Sequence, residues 1–212
     1  MRIIVRATAA QKEEWQQKPL AEAVNIQFID AENSVLTGAG ADVFFDLALD
    51  ETNPVFIETT NPVFVNAVIL TLAELPENYI RINTWNGFLK RGLMEVAASE
   101  INKPIVQTVM DLLGWKYVLV PDIPGMIAAR SISMIINEAY YTLGDEVSTK
   151  EAINIAMKLG TNYPFGPFEW SEKIGLGHIY LLLKKMNKLE SRYTIAPLLK
   201  QEALQTITNK QQ

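Results

Sequence analysis

The amino-acid sequence predicts an α/β sheet domain followed by an all-helical one. Three observations lead there. The first 120 residues alternate short β-branched or aromatic runs with amphipathic stretches. The strand signals then stop at Pro121 and Pro124. Beyond those prolines apolar residues recur at helical spacing only. Strands alternating with helices imply a parallel sheet covered on both faces. The expectation is therefore a shortened Rossmann-like parallel sheet over residues 1–121 and a helical domain over 122–212.

Taken in order, the strand segments are "RIIVRA" (2–7), "NIQFIDA" (25–31), "ADVFFDL" (41–47), "PVFIETT" (54–60), "YIRINTW" (79–85) and "KYVLV" (116–120). A helix over 9–18 follows Thr8, which with Gln11 has capping-box spacing. A second, over 62–75, opens with Pro62, a residue suited to a first helical turn. A third runs from Pro104 to Leu113 and stops at Gly114. In the second half, "GMIAARSISMIINEAYYTL" is a helix ending near Gly144, and "STKE" (148–151) is a capping box for a helix running to Gly160. Residues 167–190 read as two helices broken near Gly175–Gly177, and 194–208 as a last one. No internal repeat is present.

Composition narrows the function classes. A net charge of −5 and a pI near 5.0 argue against nucleic acid as a partner. The absence of cysteine removes disulfides, thiolate nucleophiles and Cys-ligated zinc, and a single histidine removes a His-rich metal site. Lys184, Lys185 and Lys188 form a short basic cluster that reads as a solvated helix face. Apolar runs such as "VNAVILTLAEL" (65–75) are too short to span a membrane. "MRIIVRA" enters a strand pattern directly, without the layout of a signal peptide, so a cytoplasmic location is expected.

The helical half carries a longer pattern. Asp122, Pro124, Gly125, Ile127 and Arg130 are followed by Glu138 and Ala139, then by Ala156, Met157, Gly160, Pro164, Gly166, Pro167 and Phe168. This closely resembles the C-terminal domain of the 3-hydroxyacyl-CoA dehydrogenases, whose pattern is D-x-P-G-F-I-x-N-R, an E-A pair on a helix, and A-M-x-x-G-x-x-x-P-x-G-P-F. The resemblance extends upstream to about residue 41. "ADVFFDL" and "PVFIETTN" look like the family's fourth and fifth strands, and "RINTWNGFLKRGLMEV" like its catalytic segment.

That resemblance implies where a site lies. In the family a histidine in H-F-F-N-P takes the hydroxyl proton while hydride leaves for NAD, and a glutamate twelve residues later orients it. Here Glu95 stands at the glutamate, Asn86 at the motif asparagine, Asn83 at the histidine and Gly87 at the proline. An amide neither gives nor takes protons near pH 7, and loss of a general base costs on the order of 10²–10⁴ in rate. Asn83 is expected to donate a hydrogen bond to Glu95. The family's substrate-binding asparagine falls on Ala129, which removes a group that stabilises developing charge. "ETTN" aligns with the family's S-N-T-S, placing Thr60 and Asn61 toward substrate. His178, in "GLGHIY", reads as a structural histidine.

The resemblance implies NAD as cofactor and no metal. The first turn, "ATAAQK", offers none of the glycines that let backbone amides meet a pyrophosphate. "GAGAD" (38–42) precedes a strand rather than following one, and reads as a loop. Asp30, at the end of "NIQFID", reads as a loop carboxylate. The function expected is that of a 3-hydroxyacyl-CoA dehydrogenase-family protein, an oxidoreductase on the 3-hydroxyl of acyl-CoA thioesters, with impaired or lost activity. Two alternatives stand beside it: a non-catalytic member binding a CoA thioester, and a structural subunit homodimeric through its helical domain.

Overall fold

A computed structural model describes residues 1–19, 24–32 and 40–209. Gly38 and Ala39 of "GAGAD" lie outside the described residues. The chain divides into two compact units, Met1–Met126 and Ile127–Gln212. The first unit keeps the segment after the two prolines because that segment is stitched to the sheet. The Gly125 N–H donates to the Val68 carbonyl at 2.7 Å, and Asp122 is bound by Arg81.

The first unit contains a seven-stranded sheet: β1 (Arg2–Ala7), β2 (Asn25–Asp30), β3 (Val43–Asp46), β4 (Val63–Asn66), β5 (Tyr79–Ile82), β6 (Met94–Ala97) and β7 (Tyr117–Leu119), with spatial order β2-β1-β3-β4-β5-β6-β7. Neighbouring strands are parallel except β5 and β6, which pair antiparallel. The sheet is thus Rossmann-like and mostly parallel, with one reversal that the alternating pattern did not announce.

Helices α1 (Ala9–Gln16) and α2 (Lys103–Leu113) pack on one face. There Ile3, Val5, Val43, Phe45, Phe64, Ile80 and Ile82 meet Trp15 of α1 and Val106, Val109, Met110 and Leu113 of α2. Trp15 sits at the centre, edge-on to Phe45 at 4.9 Å and to Trp115 at 4.5 Å. The opposite face, with Ile4, Phe44, Val63, Val65 and Tyr79, is covered by Leu49, Ile57, Phe56, Leu70 and Leu75. Those covering residues sit in loops and one short 3₁₀ turn, so among the described residues no α-helix covers this face.

Two expected elements are corrected here. The strand expected at 54–60 is loop: Val55 is 62% exposed, and the Ile57 N–H donates to the Tyr79 hydroxyl instead of to a neighbouring strand. The fourth strand is instead β4, inside the stretch read as a helix over 62–75. Val63, Phe64 and Val65 are all fully buried, because a central strand buries both of its faces. A short continuous apolar run does not by itself separate such a strand from a buried helix, and Pro62 tipped the reading toward helix. What remains of that helix is a 3₁₀ turn at Leu72–Glu74.

The second unit is α3 (Ala128–Gly144), α4 (Lys150–Thr161), α5 (Pro167–Ile174), α6 (Leu176–Leu189) and α7 (Pro197–Asn209). The cap of α4 is Thr149, not Ser148: its hydroxyl accepts from the Ala152 N–H. Asn137, buried on α3, accepts from the Ala196 N–H and donates to the Thr194 carbonyl, tying α3 to the start of α7. The motif glycine Gly166 has a packing reason, since a Cβ there would lie 2.6 Å from the Asn154 backbone. Asn154 in turn accepts from the Phe168 N–H at 3.0 Å. Among the described residues no helix is long and apolar enough to cross a membrane.

Candidate functional site

The C-terminal ends of parallel strands are where open α/β sheets present their ligand-binding loops, so the first unit is built up from there. β5 ends at Ile82 and leads into a loop over 83–93, after which β6 returns antiparallel. In the β5–β6 pair Arg81 opposes Ala97 and Ile82 opposes Val96. Asn83 and Glu95, twelve apart in the chain, are thus the residues that follow the last pair of this ladder.

Their chemistry differs from the expectation in one respect. Asn83 is 3% exposed, its Oδ1 accepts from the Trp85 N–H at 3.4 Å, and its Nδ2 has no partner among the described residues. The expected Asn83–Glu95 hydrogen bond is absent. The next residue, Thr84, is fully buried with an equally unpartnered hydroxyl. Two orphaned polar groups side by side are uncommon, because each costs about 1–3 kcal/mol when left unpaired. Glu95 is half-buried beside Arg91, whose guanidinium is pulled down by burial and pushed back up by the Glu95 charge. Asn86 and Gly87 form the turn after Asn83. The Phe88 N–H closes it onto the Trp85 carbonyl at 2.8 Å, and Gly87 takes φ +93, which a proline could not adopt.

Thr60 and Asn61 precede β4, at the edge where the strands begin. Asn61 donates to the Ala41 carbonyl at 2.7 Å and its own carbonyl accepts from Asn78, so the pair lies at the opposite edge from Asn83. With the strand moved to 63–66, the residue at its C-terminal end is Asn66. Sequence reasoning missed it because the strand itself was misplaced. Asn66 is 9% exposed, donates to the Leu47 carbonyl at 3.2 Å and accepts from the Thr84 N–H at 3.0 Å. It links the ends of β3 and β5 next to Asn83. Ala129 lies in the second unit, fully buried in the first turn of α3. His178 is exposed in the first turn of α6.

Charged groups brace the neighbouring loops. Arg81, fully buried, donates to the carbonyls of Ala67, Val68 and Ile123 and to Asp122. The Glu51 carboxylate accepts from three consecutive backbone N–H groups, those of Val68, Ile69 and Leu70, at 3.0, 2.7 and 2.7 Å. Burial pushes Glu51 up to about 7, against those amides and the Arg81 charge.

The β1–α1 turn, where this fold class cradles phosphates, is engaged with itself. The Thr8 hydroxyl accepts from the Gln11 N–H, and the Gln11 side-chain oxygen accepts from the Thr8 N–H at 3.0 Å. Between β1 and β3, where the strand order reverses, Arg6 grips Asp46 with two bonds of 2.9 Å. Asp30, at the end of β2, is exposed, and it accepts from the Glu32 N–H. Among the described residues no three His, Asp or Glu side chains are grouped as a metal site requires.

A mostly parallel sheet with polar side chains at its C-terminal edge, followed in sequence by a five-helix unit, defines a Rossmann-type protein with a helical second unit. Comparison with known proteins narrows that class. The family "3-hydroxyacyl-CoA dehydrogenase, C-terminal domain" matches residues 125–210. A 3-hydroxyadipyl-CoA dehydrogenase of Escherichia coli is 41% identical over 87 residues, which is 40% of this chain and 18% of that protein. A 3-hydroxybutyryl-CoA dehydrogenase of Bradyrhizobium diazoefficiens is 32% identical over 130 residues, 58% of this chain and 44% of that protein. The crystal structure of (S)-3-hydroxybutyryl-CoA dehydrogenase from Ralstonia eutropha superposes with a TM-score of 0.69 at 16% identity, covering 94% of this chain and 92% of that chain. That of 3-hydroxybutyryl-CoA dehydrogenase from Escherichia coli gives 0.60 at 29% identity, covering 72% and 34%. Residues 125–210 thus match the C-terminal domain of the 3-hydroxyacyl-CoA dehydrogenases, and the chain is similar to members of that family over part of their length. It spans less than half the length of these curated relatives.

Proposed function

We propose that this chain is a 3-hydroxyacyl-CoA dehydrogenase-family protein in which NAD-linked oxidation of a 3-hydroxyl is impaired or lost. The observation that carries this reading is the buried Asn83, one residue past the end of β5, with its Nδ2 unpaired. Asn83, Asn86 and Glu95 are the residues through which we read the site, with Asn66 beside them in place of Thr60 and Asn61. The amide can hold a ligand's carbonyl or hydroxyl oxygen, but it cannot accept the proton that oxidation releases.

The residues of the β1–α1 turn do not fit a dinucleotide. The amides of Thr8 and Gln11 are committed to each other's side chains, the turn has no glycine, and the Arg6–Asp46 pair closes the crevice beside it. The test is isothermal titration with NAD and NADH. No heat up to millimolar concentration supports the reading. Micromolar binding would refute it and make Asn83→His a sensible attempt to restore turnover with a 3-hydroxybutyryl-CoA substrate.

A second reading keeps the site for binding alone, with a CoA thioester held by the orphaned Asn83 and Thr84 groups. Thermal stability followed with acetoacetyl-CoA and with free CoA tests it. A ligand at about ten times its dissociation constant adds about 1.4 kcal/mol, so a flat response to both sinks it. A homodimer through the helical unit is compatible with either reading. It is supported by a stripe of exposed apolar side chains on α4, where Ile155 and Leu159 are 55% and 83% exposed.

A further inference from the structure

Helix α1 and the turn after it carry three polar side chains that are nearly buried: Gln11 at 5%, Glu14 at 8% and Lys18 at 8% exposed. Polar groups at that depth need partners, and all three find them at the C-terminal edge of the sheet. The Gln11 amide donates to the Leu47 carbonyl at 2.6 Å. That carbonyl also accepts from Asn66, which accepts from the Thr84 N–H. The Glu14 carboxylate accepts from the Gly87 N–H through one oxygen and from the Lys90 N–H at 3.3 Å through the other. The Lys18 ammonium donates to the Arg91 carbonyl at 2.9 Å while lying 4.5 Å over the Trp115 ring.

The segment after Asn83 is therefore held at Gly87 and Lys90 by Glu14 of α1 and at Arg91 by Lys18 just past the helix, while Thr84 is held by Asn66 of β4. Gln11 and Glu14 are three residues apart and so share a helix face. A plain packing helix would fill this face with leucine. Burying a carboxylate instead is costly unless its donors are well placed, and the bonds it makes to backbone N–H are charge-assisted. Those donors both belong to the loop on which Asn83 and Asn86 stand.

We infer that α1 and the turn after it form a clamp that sets the conformation of the 87–91 segment of the loop, with Glu14 as the positioning residue for Asn83 and Asn86. In this fold class the N-terminus of the first helix faces a ligand. Here the helix works through its side, holding a binding loop in one geometry before any ligand arrives. The inference rests on the reading that this loop carries the site.

Amide hydrogen exchange and amide proton shifts, measured by NMR on the full chain, test it with Glu14→Ala and Glu14→Gln. Glu14→Ala is expected to speed exchange at Gly87 and Lys90 by about tenfold or more, while the ladder amides of β3 keep their rates. It should also move the Gly87 amide proton upfield, because the charge-assisted bond is gone. Glu14→Gln keeps one acceptor oxygen, so it should restore Gly87 protection in part while leaving the proton shift lost. Unchanged protection at Gly87 and Lys90 overturns the clamp. So does acceleration spread evenly over β3, which would mark a general packing role. If Glu14→Ala does not fold, the Gly87 shift in Glu14→Gln decides alone: no change refutes the inference. Acetoacetyl-CoA titrated into the wild-type chain, read at the Asn83 and Asn86 amides, is a separate arm. Silence there removes the binding-only reading without touching the exchange result.

Discussion

Replacing Asn83 by leucine should make the sheet unit more stable, an unusual outcome for a buried polar-to-apolar change at a site. The Asn83 Nδ2 is buried without a partner, and an unpaired buried donor costs about 1–3 kcal/mol. Against that stands the bond from the Trp85 N–H to Oδ1, which at 3.4 Å is long and contributes about 0.5–1 kcal/mol. Leucine keeps the branched heavy-atom outline of asparagine and removes the donor, so the net expectation is a gain of about 1 kcal/mol. With a urea dependence of about 2 kcal/mol per molar, the midpoint should rise by about 0.5 M. Tryptophan fluorescence reads the right unit, since Trp15, Trp85 and Trp115 lie in the sheet unit and only Trp170 in the other. The same variant should lose any stabilisation by acetoacetyl-CoA. A fall in midpoint of 0.5 M or more, on the same principle, would show that Nδ2 has a partner in the free protein. An amide kept open for a ligand would then be ruled out.

Three further outcomes follow from the packing and charges. Gly166→Ala forces a Cβ against the Asn154 backbone and should destabilise the helical unit by about 1–3 kcal/mol, read as a lower midpoint in circular dichroism at 222 nm. Arg81→Met removes the donor to the Ala67 carbonyl, one of two donors to the Val68 carbonyl and the guanidinium partner of Asp122, which among the described residues keeps only the Leu72 N–H. It should cost about 3–5 kcal/mol, and a loss under about 1 kcal/mol would show that the guanidinium is not holding the 121–125 segment. Glu51 has its folded-state value raised from 4.5 to about 7, so between those values the folded chain binds more protons than the unfolded one. Its contribution to stability is present below pH 4.5 and is lost as pH rises through 7. Glu51→Gln should flatten the urea midpoint against pH across that window, and an unchanged slope would contradict the assignment.

How much of this was legible in the sequence depends on how local each determinant is. The helices of the second unit and the Thr8–Gln11 capping box are set by residues a few positions apart, and the structure holds them close to where periodicity and caps put them. The long motif from Asp122 to Phe168 carried the family resemblance. The orphaned state of Asn83 was not legible, because it depends on what surrounds the amide. Nor was the position of β4. Val63, Phe64 and Val65 form a run that a helix or a buried strand accommodates equally well, and only the neighbours Phe44 and Tyr79 on either side decide between them. Moving that strand carried the candidate site from Asn61 to Asn66.

By itself, then, the sequence determined the sheet-then-helix organisation, the family resemblance of its helical half, and the absence of an imidazole at position 83, all properties of residue identity and short-range order. The tertiary structure decided what those residues do to one another. The antiparallel turn-back of β6 sets Val96 opposite Ile82, beside Asn83, and Glu14 reaches Gly87 across a separation of 73 residues. Contacts of that kind leave no local trace, since each side chain is an ordinary choice in its own helix or loop. Only folding brings donor and acceptor within hydrogen-bonding distance, and only then does one buried carboxylate become the anchor of a loop.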